Sequence, residues 1–278
     1  MKVKVAKTSE FCFGVKRAME MALGAAKAIG KGGIYTEGPL IHNPQVLELL
    51  QEQGVVPLPE KKGNLQGTVI IRSHGISPKR LQELKQTGAL ILDATCPKVK
   101  KVQSIIERCA RNGYGVVIVG DPAHAEVKGL SGFAGESGVV IQNEGELINL
   151  PSGKKLCVVA QTTQNREKFI ALTEKIKERF PETDVFDTIC DANRKRQEEL
   201  QNLCLSVDAM VVVGGKASGN TKRLVEIAQS TDTPTFFVES EADLEPDPLK
   251  QYKVVGVIGG ASTPDWVLKR VVQRLSLT

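Results

Sequence analysis

The chain has 278 residues, 41% hydrophobic and 25% charged, which suits a globular protein with one large core or several small ones and excludes a disordered or low-complexity chain. Its formal net charge of +5 is spread over interspersed acids and bases, so no basic block marks a nucleic-acid partner, and a small anionic substrate fits that charge equally well. No stretch approaches the roughly 20 apolar residues of a membrane helix, and Met1-Lys2-Val3-Lys4-Val5 alternates like a strand instead of opening a secretory signal; a cytoplasmic protein with no membrane partner is expected.

Along the chain, apolar periodicity switches between 3.6 and 2, the pattern of an α/β protein with mainly parallel strands. The first helix is predicted over 15–29, where Val15, Ala18, Met19, Ala22, Leu23, Ala26 and Ile29 form one apolar stripe. Buried strands are predicted over 68–72, 89–93, 115–119, 156–160, 209–213 and 254–258. Three cysteines fall between a strand end and a helix start: Cys12 before the helix at Val15, Cys96-Pro97 before one near Val99, and Cys190 before one near Arg194.

These cysteines mark an internal repeat. A polar loop follows each one after a helix and a strand: His42 at 30 residues, and His124 and Ser218 at 28 each. A second polar loop follows after another helix and strand: Ser73-His74-Gly75, Gln161-Thr162-Thr163 and Gly260-Ala261-Ser262. Strand–helix–strand steps of about 30 residues recur in any α/β protein, but polar residues at matching loop ends in all three units favour a true triplication. The expected units are 13–95, 96–189 and 190–278, the last completed by 1–12. Loops at the carboxyl ends of parallel strands project to one sheet edge, so three such units packed around a pseudo-threefold axis would face a central cavity.

Six cysteines without a secretion signal imply reduced thiols. Cys109 shares a helix face with Val102, Ile105 and Ile106, Cys157 lies within a predicted strand, and Cys204 follows Leu200 and Leu203, so these three are expected to be structural. Cys12, Cys96 and Cys190 stand beside helix N-termini, where the macrodipole and free N–H groups favour a thiolate. Three thiolates suit zinc or an iron–sulfur cluster. The absence of a Cys-x-x-Cys pair argues against a structural zinc ribbon. A four-iron cubane on three thiolates would keep one iron open as a Lewis acid.

The histidines number three, His42, His74 and His124, and all three fall in the repeated polar loops. Imidazolium groups, the hydroxyls of Thr162, Thr163, Ser218 and Ser262, the Asn220 amide and glycine-rich backbone make a donor-rich pocket for phosphate. Neither a P-loop nor a dinucleotide fingerprint occurs. Glu126, two residues from His124, reads either as a solvated acid or as a proton donor whose pKa burial would raise.

The segments Phe11-Cys12-Phe13-Gly14-Val15, Ile41-His42-Asn43-Pro44, Arg72-Ser73-His74-Gly75, Asp93-Ala94-Thr95-Cys96-Pro97, His124-Ala125-Glu126-Val127, Gln161-Thr162-Thr163-Gln164, Thr188-Ile189-Cys190, Lys216-Ala217-Ser218-Gly219-Asn220 and Gly260-Ala261-Ser262-Thr263-Pro264-Asp265 together resemble the 4-hydroxy-3-methylbut-2-enyl diphosphate reductase (IspH/LytB) family, over nearly the whole chain. The resemblance implies an α/β trefoil around a [4Fe–4S] cluster on Cys12, Cys96 and Cys190. The implied reaction is reductive dehydroxylation of the allylic diphosphate to isopentenyl and dimethylallyl diphosphates, the last step of the non-mevalonate isoprenoid pathway. His42, His74, His124, Ser218, Asn220 and Ser262 would hold the diphosphate, Glu126 working through Thr162 would deliver protons, and a ferredoxin or flavodoxin would supply electrons. A monomer is expected. Two departures stand out: many members carry proline where this chain has Ala125, and a second serine where it has Gly219. The competing readings are a non-catalytic sensor that holds a phosphorylated ligand beside the same metal, and a metal-free phosphosugar enzyme.

Overall fold

The computed structural model describes residues 1–30, 33–59, 65–245 and 247–277. Twelve strands among them form three sheets of four, with every neighbouring pair parallel. The first sheet contains β2 (Ile34–Thr36), β3 (Val55–Pro57), β4 (Thr68–Ile71) and β5 (Leu90–Asp93), in spatial order β3-β2-β4-β5. The second repeats that order as β7-β6-β8-β9, from β6 (Gly115–Val119), β7 (Gly138–Ile141), β8 (Leu156–Ala160) and β9 (Asp184–Phe186). The third comprises β10 (Ala209–Val213), β11 (Thr235–Val238), β12 (Val254–Gly259) and the N-terminal β1 (Lys2–Val5), in order β11-β10-β12-β1. The strand that enters the chain thus fills the fourth place of the sheet that ends it, with Lys2 opposite Val254.

Helices follow the strands: α1 (Phe13–Ile29), α2 (Pro44–Glu52), α3 (Pro78–Gln86), α4 (Pro97–Arg111), α5 (Ala125–Ala134), α6 (Arg166–Arg179), α7 (Asp191–Cys204), α8 (Gly219–Ser230) and α9 (Asp265–Ser276). The central strands are apolar on both faces because helices cover both. In the second sheet Val116, Ile118, Cys157 and Val159 pack with Val102, Ile106 and Leu130, while Val117, Val119, Leu156 and Val158 meet Phe169, Leu172 and Ile176. In the third, Val211, Val213 and Val257 pack with Leu268 and Val271, and Met210, Val212 and Ile258 with Leu200 and Leu224. Each such side chain contributes about 1.5–3 kcal/mol by leaving water. Cys109, Cys157 and Cys204 are buried in these cores, as expected.

By contact density the chain divides into two compact units, one of Met1–Lys16, Ile41–Leu49 and Asp191–Thr278, the other of Arg17–Leu40 and Leu50–Cys190. No helix among the described residues is long and apolar enough to cross a membrane.

The predicted strands at 115–119, 156–160 and 209–213 match β6, β8 and β10, and the others shift by one residue at an end. Arg72 falls just past β4, in a turn closed by the Gly75 amide on the Arg72 carbonyl. One stripe residue is misplaced: Ile29 is 51% exposed, because it ends α1 and projects past the core.

Two glycines should respond to alanine with opposite signs. At Gly67, with φ +136°, a Cβ would lie 2.2 Å from the Gly33 carbonyl oxygen, so Gly67→Ala is expected to cost at least about 2 kcal/mol through strain and overlap. Gly24 sits on exposed α1 surface with nothing near its Cβ position, so Gly24→Ala should stabilise by about 0.5–1 kcal/mol. Chemical denaturation of both variants checks the pair; equal effects would contradict these backbone assignments.

Candidate active site

Counting β1 as the fourth strand of the third sheet, whose place it fills, polar loops leave the carboxyl ends of the first, third and fourth strands of every sheet, the side where ligands meet open α/β sheets. The fourth-strand loops carry the cysteines. Cys12, Cys96 and Cys190 directly precede α1, α4 and α7, and Pro97 holds the first helical position after Cys96. One backbone bond recurs three times: the Cys96 amide donates to the Ser73 carbonyl (2.9 Å), Cys190 to Thr162 (3.0 Å) and Cys12 to Ala261 (3.1 Å). Each acceptor is the second residue of a turn on the third strand, closed by the amides of Gly75, Gln164 and Thr263 on the carbonyls of Arg72, Gln161 and Gly260. These three cysteines are half-buried, unlike the three core cysteines. Soft, partly accessible thiols at helix N-termini fit an iron–sulfur cluster, and the inert core thiols do not.

In the unit of Arg17–Leu40 and Leu50–Cys190, the catalytic candidates lie against one another. His124 is the N-cap of α5, its Nδ1 accepting the Glu126 amide at 3.2 Å. In that bond Nδ1 serves as the acceptor, which fixes the ring over the first turn of the helix. The rings of His74 and His124 meet edge to face, with centroids 5.3 Å apart. Glu126 is 2% exposed. Its two oxygens accept from the Thr162 amide and the Thr162 hydroxyl, each at 2.7 Å. Burial raises the Glu126 pKa from the ordinary 4.5 to about 7, against the opposing pull of the two Thr162 bonds. The carboxyl is therefore poised to hold or release a proton near neutrality, and the Thr162 carbonyl ties this pair to the Cys190 amide. Ala125 occupies the first helical position, where proline is favoured. The cap bond from His124 and the double bond to Thr162 fix Glu126 without it.

In the unit of Met1–Lys16, Ile41–Leu49 and Asp191–Thr278, three polar loops pack together. Asn43 starts α2 by accepting the Val46 amide on Oδ1 at 3.1 Å, which sets His42 at the loop end. A Cβ at Gly215 would lie 2.2 Å from the His42 carbonyl oxygen, and the Ser262 hydroxyl reaches that same oxygen at 3.4 Å. Ser218 caps α8, its Oγ accepting the Thr221 amide at 3.3 Å. Asn220 is 4% exposed and neither its Oδ1 nor its Nδ2 has a partner. An unsatisfied buried amide costs about 1–3 kcal/mol, and here it stands at a helix N-terminus where backbone N–H groups attract anions. Gly219 begins α8, so its N–H belongs to that set.

Sequence reasoning missed the residues that hold the Cys12 loop. From α7, the Glu199 carboxylate accepts the amides of Lys7 (2.6 Å) and Thr8 (2.8 Å), and the buried Arg196 guanidinium donates to the Glu10 carbonyl at 2.6 Å. Ser9 accepts the Gly259 amide on its hydroxyl at 3.1 Å. Their spacing on α7 resembles any surface ion pair, so only the bend of the chain reveals their role.

A family model described as LytB protein matches residues 3–276. The chain is 44% identical over 276 residues to a 4-hydroxy-3-methylbut-2-enyl diphosphate reductase of Geotalea daltonii, covering 99% of this chain and 97% of that one. It is 40% identical over 277 residues to the reductase of Alkaliphilus oremlandii, covering 99% of both. Among solved structures, it superposes with a TM-score of 0.94 and 29% identity on the E-1-hydroxy-2-methyl-but-2-enyl-4-diphosphate reductase from Plasmodium falciparum, covering 99% of this chain and 88% of that one. A second, (E)-4-hydroxy-3-methyl-but-2-enyl diphosphate reductase, described as the terminal enzyme of the non-mevalonate pathway, gives 0.71 at 39% identity over the whole of both chains. With three parallel sheets, the repeated cysteine loops and matches that run almost end to end, the chain belongs to the LytB family.

Proposed function

We propose that this protein is a 4-hydroxy-3-methylbut-2-enyl diphosphate reductase, removing the allylic hydroxyl as water with two electrons and two protons to give isopentenyl and dimethylallyl diphosphates. Cys12, Cys96 and Cys190 are the ligands of one [4Fe–4S] cluster, and the chain is organised as three repeats, 13–95, 96–189 and 190–278 with 1–12. When bound, the cluster supplies electrons one at a time together with a Lewis-acidic iron. A ferredoxin or flavodoxin reduces it, and the protein works as a monomer.

The chain's own groups divide the remaining work. His42, His74, His124, Ser218, Asn220 and Ser262 bind the diphosphate. The orphaned Asn220 amide and the α8 N-terminus support that assignment, because an anion there satisfies groups the fold leaves open. Glu126 holds the proton and Thr162 hands it on through its hydroxyl. The observation that carries an enzyme over a binding protein is the Glu126–Thr162 pair: a pure phosphate sensor has no use for a buried acid brought to about 7.

Anaerobic purification should yield iron and acid-labile sulfide in equal amounts and no zinc. Serine at Cys12, Cys96 or Cys190 is expected to abolish the iron, whereas serine at Cys109, Cys157 or Cys204 should lower stability alone; a full cluster in all of the first three variants would end the ligand assignment. Glu126→Gln should keep cluster and substrate affinity while turnover falls about 10²–10⁴-fold. Undiminished turnover would remove the proton-relay role. The same variant reports the pKa through stability. A carboxyl whose folded pKa exceeds its unfolded 4.5 contributes stability below pH 4.5 that is lost as pH rises to about 7, on the order of 3 kcal/mol. Denaturation at pH 5 and pH 8 should show wild type losing more stability over that interval than Glu126→Gln, and identical slopes would contradict it.

A further inference from the structure

Helix α5 carries His124 at its N-cap and Glu126 in its first turn, yet it stands against a segment of the neighbouring sheet's loop, residues 75–77, just after His74. Two glycines of α5, Gly129 and Gly132, meet this segment. At Gly129 a Cβ would lie 3.6 Å from Gly75 and Ile76 backbone atoms, ordinary contact distance. At Gly132 it would fall 2.3 Å from the Ser77 Cβ and 3.2 Å from its Cα. Ser77 is itself fixed as the N-cap of α3, accepting the Arg80 amide at 3.2 Å. The segment cannot yield cheaply, because Arg80 is further held by Glu37 through two bonds of 2.8 and 3.0 Å.

We infer that Gly132 is a positioning residue whose missing side chain sets the separation of His74 and His124, and with it the affinity for the diphosphate group. The inference rests on the diphosphate role proposed for those histidines. Their edge-to-face contact at 5.3 Å spans the two sheets, and of the two α5 glycines that meet the His74 segment, Gly132 makes the closer approach, at Ser77. Heavy atoms in contact sit about 3.5–4.0 Å apart, so a methyl at 132 would drive α5 and the loop apart by roughly 1–2 Å. Glu126 is less affected, since both its oxygens are held by Thr162, which follows β8 in the same sheet whose β6 leads into α5. The effect therefore falls on ligand binding more than on proton delivery.

The test uses the cluster-loaded full chain with inorganic pyrophosphate as binding probe and turnover as second readout. Gly132→Ala should weaken pyrophosphate binding and raise KM about 10–100-fold, with kcat within a few-fold and an unchanged cluster spectrum. Replacing the serine it collides with, in Gly132→Ala/Ser77→Gly, should restore most of the affinity, because glycine caps a helix at a cost of only a few tenths of a kcal/mol. Wild-type affinity in Gly132→Ala overturns the inference, as does lost affinity that Ser77→Gly fails to rescue. If the single variant does not fold, the double variant decides alone: folded with near wild-type affinity supports the inference, and anything less overturns it. Absence of turnover in wild type would instead strike the proposed activity, while pyrophosphate binding and its rescue still report on the spacing.

Discussion

Each cysteine loop depends on the same backbone bond, made three times along the chain, from the amide of the cysteine to the second residue of a turn on the adjacent strand. A residue before a helix has to choose a direction as the chain leaves the fourth strand. Tying its amide to the neighbouring turn makes that choice, and it leaves each cysteine at a helix start, where free N–H groups and the helix dipole favour a thiolate. Because the turn belongs to the third strand, the residues that surround each cysteine come from the loop beside it: Ser73 and His74, Thr162, or Ala261 and Ser262. The thiol and the polar groups meant to act near it are thus coupled by the ladder of the sheet itself.

That coupling is what makes the Glu126–Thr162 pair sensible. Thr162 gives its carbonyl to Cys190, and its amide and hydroxyl to Glu126. A single residue joins the proposed metal ligand to the proposed proton source with all three of its polar groups. Burial pushes the carboxyl up and the two Thr162 bonds pull it down. The balance near 7 needs both, and both come from placing the start of α5 against the third-strand turn.

Much of this was legible in the sequence because the strands β6, β8, β10 and β12 are buried on both faces and announce themselves as unbroken apolar runs, with a cysteine or polar loop at each end. The strands β2, β3, β7, β9 and β11 escaped it. They are three or four residues long and several are half-exposed, too short for a period to register and stabilised by pairing with longer neighbours. Ile29 misled for the opposite reason: its heptad position is right but the core ends before it does. The order of cysteine and polar loops could be read from their spacing, whereas the roles of Arg196 and Glu199 could not, since nothing in a helical sequence distinguishes a charge that grips a distant loop from one that faces water.

The capping geometry changes how anion binding should be understood. His124, Asn43 and Ser218 are each used first to close a helix, which spends one acceptor on the backbone and fixes a buried side chain at the helix start. For His124 the cap seats the ring over the first turn of α5, two residues before Glu126, so the oriented side chain and the helix N-terminus behind it act together on the anion proposed to bind there.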